Sequence, residues 1–267
     1  MLVERFELEL FGDGVERRYR KMRPEVEAMP WGTLRPEEYP ESVVLAARRI
    51  WTGAAFQEYR TGIACAATLR ALLEARAPLD LIAMATRFPL DELVHVELCS
   101  RLAMELGGGT EILHDPKYST HDPPADLPPL VRAADLVVHN FCVGEALSIP
   151  LLRGSWHAAK HPLLKAVLGR IVKDEAAHGT FGWSFLDWAV PLLEKKDLEH
   201  LGRVADTAIT AVHALWADLR KRKAMEAHDE HALGWMQSEP YLRLAERSLE
   251  DKVLKPLRDR EIPLGIG

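Results

Sequence analysis

Residues 90–99 read Leu-Asp-Glu-Leu-Val-His-Val-Glu-Leu-Cys, an acidic pair with a histidine three residues beyond the glutamate. The arrangement returns at residues 173–178, Lys-Asp-Glu-Ala-Ala-His. On a helix, positions i and i+3 lie on one face about one turn apart. Glu92 and His95 can therefore address one point in space, and Glu175 and His178 another. A carboxylate and an imidazole from each of two helices make half of a two-metal site. One glutamate from each of two further helices makes the other half.

The chain supplies those glutamates. From Ser42, the residues Val44, Ala47, Trp51, Ala54, Glu58, Thr61, Cys65, Thr68 and Leu72 recur in steps of three and four, a helix seam of some eight turns. Glu58 is the only charge on it, and a carboxylate on an apolar stripe needs something to bind it. A second stripe, Ile82, Ala85, Phe88, Glu92, His95, Cys99, Leu102 and Leu106, carries the first motif, with a kink expected at Pro89. Gly107 to Gly109 end that helix. A third helix, about 130–159, aligns Val131, Ala134, Val138, Phe141, Glu145, Ser148 and Leu152, with a kink expected at Pro150. A fourth, about 162–188, begins at Pro162 in its first turn and turns Leu164, Leu168, Ile171, Glu175, His178 and Phe185 inward.

The remaining segments set the architecture. Residues 1–41 are broken by Pro24, Pro30, Pro36 and Pro40 and read as an N-terminal arm with a short helix. Residues 107–129, rich in Gly, Pro and Asp, read as a long crossover. Two further helices are expected at about 198–223 and 239–257, and no alternating strand pattern competes. The fold class is therefore all-α. Residues 42–190 form a four-helix bundle with a long crossover between helices 2 and 3, and the helices of 191–267 pack on the same domain.

Composition narrows the partners. At 267 residues, 48% hydrophobic and 28% charged, the chain matches an ordinary globular protein with a substantial core. A net charge of −6 offers no basic field for nucleic acid or a membrane surface. The N-terminus lacks a secretory signal, and no run approaches the length and apolarity of a membrane span. Cys65, Cys99 and Cys142, three thiols without paired spacing, suit a reducing cytoplasm.

Glu58 and Glu92 lie 34 residues apart, Glu92 and Glu145 53, Glu145 and Glu175 30. The outer gaps suit antiparallel neighbours, about 15 residues up one helix and 15 down the next. Glu-x-x-His alone proves little, since about one chance match is expected in such a chain. A third copy, Glu111 to His114, falls in the crossover, where no helix aligns it. The helical copies differ in carrying Asp91 and Asp174 one residue earlier and in having a lone glutamate upstream. Exposed or ion-paired glutamate and core histidine are the commoner fates of each residue alone. Six of them on apolar stripes favour a metal site.

These residues resemble the ferritin-like di-iron carboxylate superfamily, whose pattern is Glu, Glu-x-x-His, Glu, Glu-x-x-His on four successive helices. The resemblance implies that Glu58 and His95 are terminal ligands of one metal and Glu145 and His178 of the other, with Glu92 and Glu175 bridging. It also implies that Asp91 orients His178 and Asp174 orients His95. Two irons are the implied cofactor, and the same donors admit manganese or a mixed manganese–iron pair.

The resemblance leads to an expected function: activation of dioxygen, with electrons from an external donor, to oxidise a small, fairly apolar substrate. The length beyond a bare four-helix ferritin favours an oxidase or oxygenase, and so does a histidine in both helix pairs. Cys99 occupies a place that is also cysteine in bacterial multicomponent monooxygenases. The spacings are similar to those of aminoarene N-oxygenases, but Ile171 stands where those enzymes carry an extra histidine ligand. Cys65, Cys99, Phe141, Phe181 and Phe185 are candidates for an apolar pocket. A ferroxidase and a non-enzymatic, metal-stabilised bundle are the alternatives, and a homodimer is the expected assembly.

Overall fold

Proline governs how the chain begins. In the computed structural model, which describes residues 3–118, 120–223 and 232–265, the arm holds strand β1 (Glu4–Arg5) and two short helices, α1 (Asp13–Lys21) and α2 (Pro24–Glu27). Pro24 opens α2, and Pro40 caps the long α3 (Glu41–Glu74). At a helix start the missing proline N–H costs nothing. The buried Arg23 fastens the arm to the body. Its guanidinium lies 4.3 Å from the Tyr19 ring centroid and pairs with Glu27 at 2.6 Å and Glu97 at 2.5 Å.

Pro89 does more than kink the next helix. The stripe splits into α4 (Leu79–Ala85) and α5 (Phe88–Glu105), with a turn at Thr86 and Arg87. Proline cannot donate to the Ala85 carbonyl, so a new helix starts and places Pro89 in its first turn. Gly107 and Gly108 then leave α5 at φ +106° and +110°, a region that glycine enters without strain. The crossover contains β2 (Leu113–His114), which pairs antiparallel with β1, so the arm closes over the crossover. The two-residue ladder escaped the period-2 reading because two residues define no period.

The third helix is one rod with a change of winding: α6 (Pro129–Val137), a π-helical segment (Val138–Glu145) and α7 (Ala146–Ala158). The distortion thus lies before Glu145, whereas the expected kink was at Pro150, which sits inside α7. The rod is long and apolar enough to cross a membrane by length and composition, contrary to the expectation above. Its most apolar window is 67% buried, however, against neighbouring helices. The sequence continues through α8 (Pro162–Ala189), α9 (Lys195–Lys223), α10 (Ser238–Leu249) and α11 (Lys255–Arg258). The chain is predominantly helical, an all-α bundle.

Antiparallel pairing follows from close contacts. Arg48, near the start of α3, donates from Nε to the Gly108 carbonyl just past the end of α5 at 2.7 Å. Along α8, Gly182 faces Phe141 and Cys142 of the π segment, while Gly179 faces Ile149 and Gly169 faces Trp156 of α7. A Cβ added at Gly182 would lie 2.8 Å from the Cys142 Sγ, so glycine is what lets these rods approach. The crossover is held by Asp135, fully buried on α6, whose two carboxylate oxygens meet His121 of the crossover and His200 of α9.

Two apolar compartments result. One contains Val43, Ala47, Trp51, Leu98, Leu102, Leu164 and Leu168. The other contains Leu72, Phe88, Val137, Phe141, Phe181, Phe185 and residues of α9 and α10. Between them lies a tier of buried acids and histidines.

Candidate metal centre

Helix periodicity brings the tier together. Glu58 arises from the middle of α3, Glu92 and His95 from the second and third turns of α5, Glu145 from the end of the π segment, and Glu175 and His178 from the middle of α8. Two groups of four side chains have ligand atoms within 4.8 Å of one another: Glu58, Glu92, His95 and Glu175, and Glu92, Glu145, Glu175 and His178. Glu92 and Glu175 belong to both.

The atoms facing each histidine show how the sharing works. His95 Nδ1 lies 3.7 Å from Glu58 Oε2, 3.7 Å from Glu92 Oε2 and 3.4 Å from Glu175 Oε1. His178 Nδ1 lies 3.0 Å from Glu92 Oε1 and 3.3 Å from Glu175 Oε2. Each shared glutamate thus offers one oxygen toward each imidazole, the disposition of a carboxylate that bridges two cations. Glu145 is held separately, with the Ser148 hydroxyl donating to its Oε2 at 3.2 Å.

The outer nitrogens face the aspartates. His95 Nε2 lies 3.3 Å from Asp174 Oδ2, and His178 Nε2 lies 3.5 Å from Asp91 Oδ2. Each aspartate therefore serves the histidine of the other helix and leaves Nδ1 free to face the cluster. Two arginines that the sequence reading overlooked brace them. Arg87 reaches Asp91 at 2.9 Å and Asp174 at 3.1 Å, and Arg170 Nε donates to Asp174 at 2.5 Å. Both arginines stand four residues before their own aspartate, an i, i+4 signal that was readable in the sequence.

Burial and neighbouring charges shift the protons of these groups. Burial, reinforced by Glu92 and Glu175, pushes the Glu58 carboxyl up to about 8 against the opposing effect of His95. Burial raises Glu145 well above the carboxylate range, and Glu175 and Glu92 add to it. Burial would also raise Glu175, but His178 and His95 outweigh it and hold that carboxylate below its usual range. The histidines move the other way. Burial opposes their charge, yet Asp91, Glu175 and Glu92 push His178 up to about 12. Asp174, Glu175, Glu58 and Glu92 likewise hold His95 well above its usual value.

Several of these atoms have no hydrogen-bond partner: facing inward, both Glu92 oxygens, Glu175 Oε2 and Nδ1 of His95 and His178, and on the outer side His178 Nε2 and Asp91 Oδ2. Orphaned buried polar atoms are costly, and so many aimed at one place fit cations that would replace the retained protons. The cluster is therefore a site able to bind metal. Oxygen donors with imidazole suit first-row divalent ions. Burial and the nearby carboxylates raise the Cys65 and Cys99 thiols well above their usual value, so these are neutral, unreactive neighbours.

The pocket candidates are divided between the two apolar compartments. Cys65, Phe141, Phe181 and Phe185 lie in one apolar compartment and Cys99 in the other. Phe141 and Phe181, 5.0 Å apart, pack with Phe88, whose ring centroid is 4.3 Å from that of His178. Phe88, four residues before Glu92 and on its face, was absent from the candidates. Phe185 lies beyond them against Trp188, at 5.5 Å. An open concavity of about 640 Å³ lies elsewhere, over Met236, Pro240 and Leu244. The crossover copy of the motif is not helical: His114 is in β2, and Glu111 pairs with Arg5 at 2.6 Å. No family model matches the chain, and no similar curated protein or solved structure was found.

Proposed function

We propose that this chain is a ferritin-like di-metal carboxylate protein that uses dioxygen to oxidise a small, fairly apolar molecule, as an oxidase or oxygenase supplied by an external electron donor. One observation carries the reading: two adjoining four-donor groups share Glu92 and Glu175. A pair of irons, or manganese in one or both places, would supply dioxygen with two electrons at one locus.

The protein's part is positioning and charge. Four carboxylates offset the charge of two divalent ions, which makes so dense a buried cluster tolerable. Asp174 and Asp91 fix which imidazole nitrogen faces inward. Phe88, Phe141 and Phe181 form a dry wall beside His178, which excludes water from one flank of the site.

The test is anaerobic loading with ferrous ion, metal analysis, then mixing with oxygenated buffer while visible absorption and dioxygen uptake are followed. The expected result is about two irons per chain and an oxygen-dependent spectral change. Glu92→Ala and Glu175→Ala should each lose iron. Unchanged iron content in both variants would remove the centre from the account. Continuous oxidation of added ferrous ion would favour a ferroxidase. A site that holds zinc and ignores dioxygen would favour a metal-stabilised bundle.

A further inference from the structure

The six side chains are not equally sealed. Glu92, His95 and His178 are fully buried, and Glu175 is 2% exposed. Glu58 is 14% exposed in its side chain and Glu145 is 6% exposed. The two most accessible groups come from α3 and from the end of the π segment, just before α7. The helix packing explains why. Along its length α3 packs on α5, with Gly62 facing Glu92, and on α6, whereas α7 packs on α8 and α10. Between α3 and α7 this leaves a seam, and Ala54, Thr61 and Ser148, near the two glutamates, are partly exposed.

The segment from Leu233 to Met236 spans this seam. Trp51 Nε1 donates to the Leu233 carbonyl at 2.7 Å, and Trp235 stacks on Trp51 with ring centroids 5.3 Å apart. On the other side, the Met236 N–H donates to Ser155 Oγ at 3.4 Å, and Met236 packs against Gly154. Trp51 stands seven residues before Glu58, about 10 Å along the helix. The segment thus bridges α3 and α7 about two turns from Glu58, the most exposed of the six donors.

The geometry points to the α3–α7 seam as the entrance to the centre, with Trp235 and Ala54 as the residues that set what passes. This rests on the metal-centre reading above. Trp235 and Ala54 are partly exposed over a core that contains Trp51 and Leu152, and apolar surroundings of this kind would select a small, uncharged, largely apolar molecule. On the histidine side Asp91 and Asp174 are buried and paired with Arg87 and Arg170.

The test uses the full chain loaded with cobalt(II), with azide as the probe and stopped-flow absorption as the readout. Ala54→Phe should slow azide association about tenfold or more and leave cobalt content unchanged. Trp235→Ala should speed it severalfold. Rates within about twofold of the unmodified protein in both variants, with cobalt bound, would overturn the entrance and leave the centre intact. If one variant does not fold, the other decides by the same criterion. Failure of the unmodified chain to bind cobalt would overturn both readings.

Discussion

The two sides of the acidic tier are built on opposite plans. On the α5–α8 side each histidine is backed by an aspartate, each aspartate by an arginine, and Arg87 ties both aspartates together. On the α3–α7 side neither Glu58 nor Glu145 meets an aspartate–arginine pair, and Glu145 accepts from the Ser148 hydroxyl. One side fixes geometry and the other leaves room for ligands to move and for molecules to enter. Buried donors held by further hydrogen bonds keep one position, whereas a carboxylate with a spare oxygen and partial exposure can change its denticity.

The contrast can be tested, beginning with the group common to both sides. Glu175→Ala removes an oxygen from each four-donor group and should abolish binding of both metals, as read by metal analysis. Asp174→Ala, on the braced side, should weaken metal affinity about 10- to 100-fold, measured by competition with a chelator. A smaller loss than from Ser148→Ala would break the comparison.

Proton competition probes the open side. The Glu58 carboxyl titrates near 8, so below that pH a metal must displace its proton. Affinity should rise with pH, by up to about tenfold per unit for this one group, and flatten above about 8, with proton release on binding seen by a pH indicator. The sign for stability is opposite. An acid whose folded pKa is raised from 4.5 to about 8 favours the folded state most when protonated, so this group's contribution in the metal-free chain falls as pH rises across that window.

Two smaller effects refine the picture. Ser148→Ala removes one hydrogen bond to Glu145 and should lower affinity for the Glu145–His178 metal about tenfold or less. Arg87→Gln should have the smallest effect. Its guanidinium is 56% exposed, and solvent-screened pairs of this kind contribute about 1 kcal/mol or less. Its signature would be a weakening of both metals together, because it touches both aspartates.

How much of this was legible differs from residue to residue. Glu58 announced itself by being the lone charge on an apolar stripe, and the Asp-Glu-x-x-His repeats by sharing one face and one setting. Those are local facts of helix periodicity. Pro89 was legible as a disturbance but not as a complete break, because whether a helix bends or restarts depends on what the freed carbonyl and the next turn pack against. The π segment at 138–145 left no signal that was read, since an extra residue per turn is tolerated only where neighbours, here α8 and α9, fit the bulge. The pocket candidates show the limit most clearly: shared helical faces placed Cys65 and Cys99 equally near the ligands, yet they fall in opposite compartments.

The amino-acid order by itself therefore determined the helices, their apolar faces and the six donors that those faces carry inward, because each follows from spacing along one chain segment. Only the tertiary structure decided which donors are shared, which side is braced by Arg87 and Arg170, and which donor, Glu58, stays the most exposed. Those are relations between segments far apart in sequence, set by how the rods pack, and no single segment's periodicity contains them.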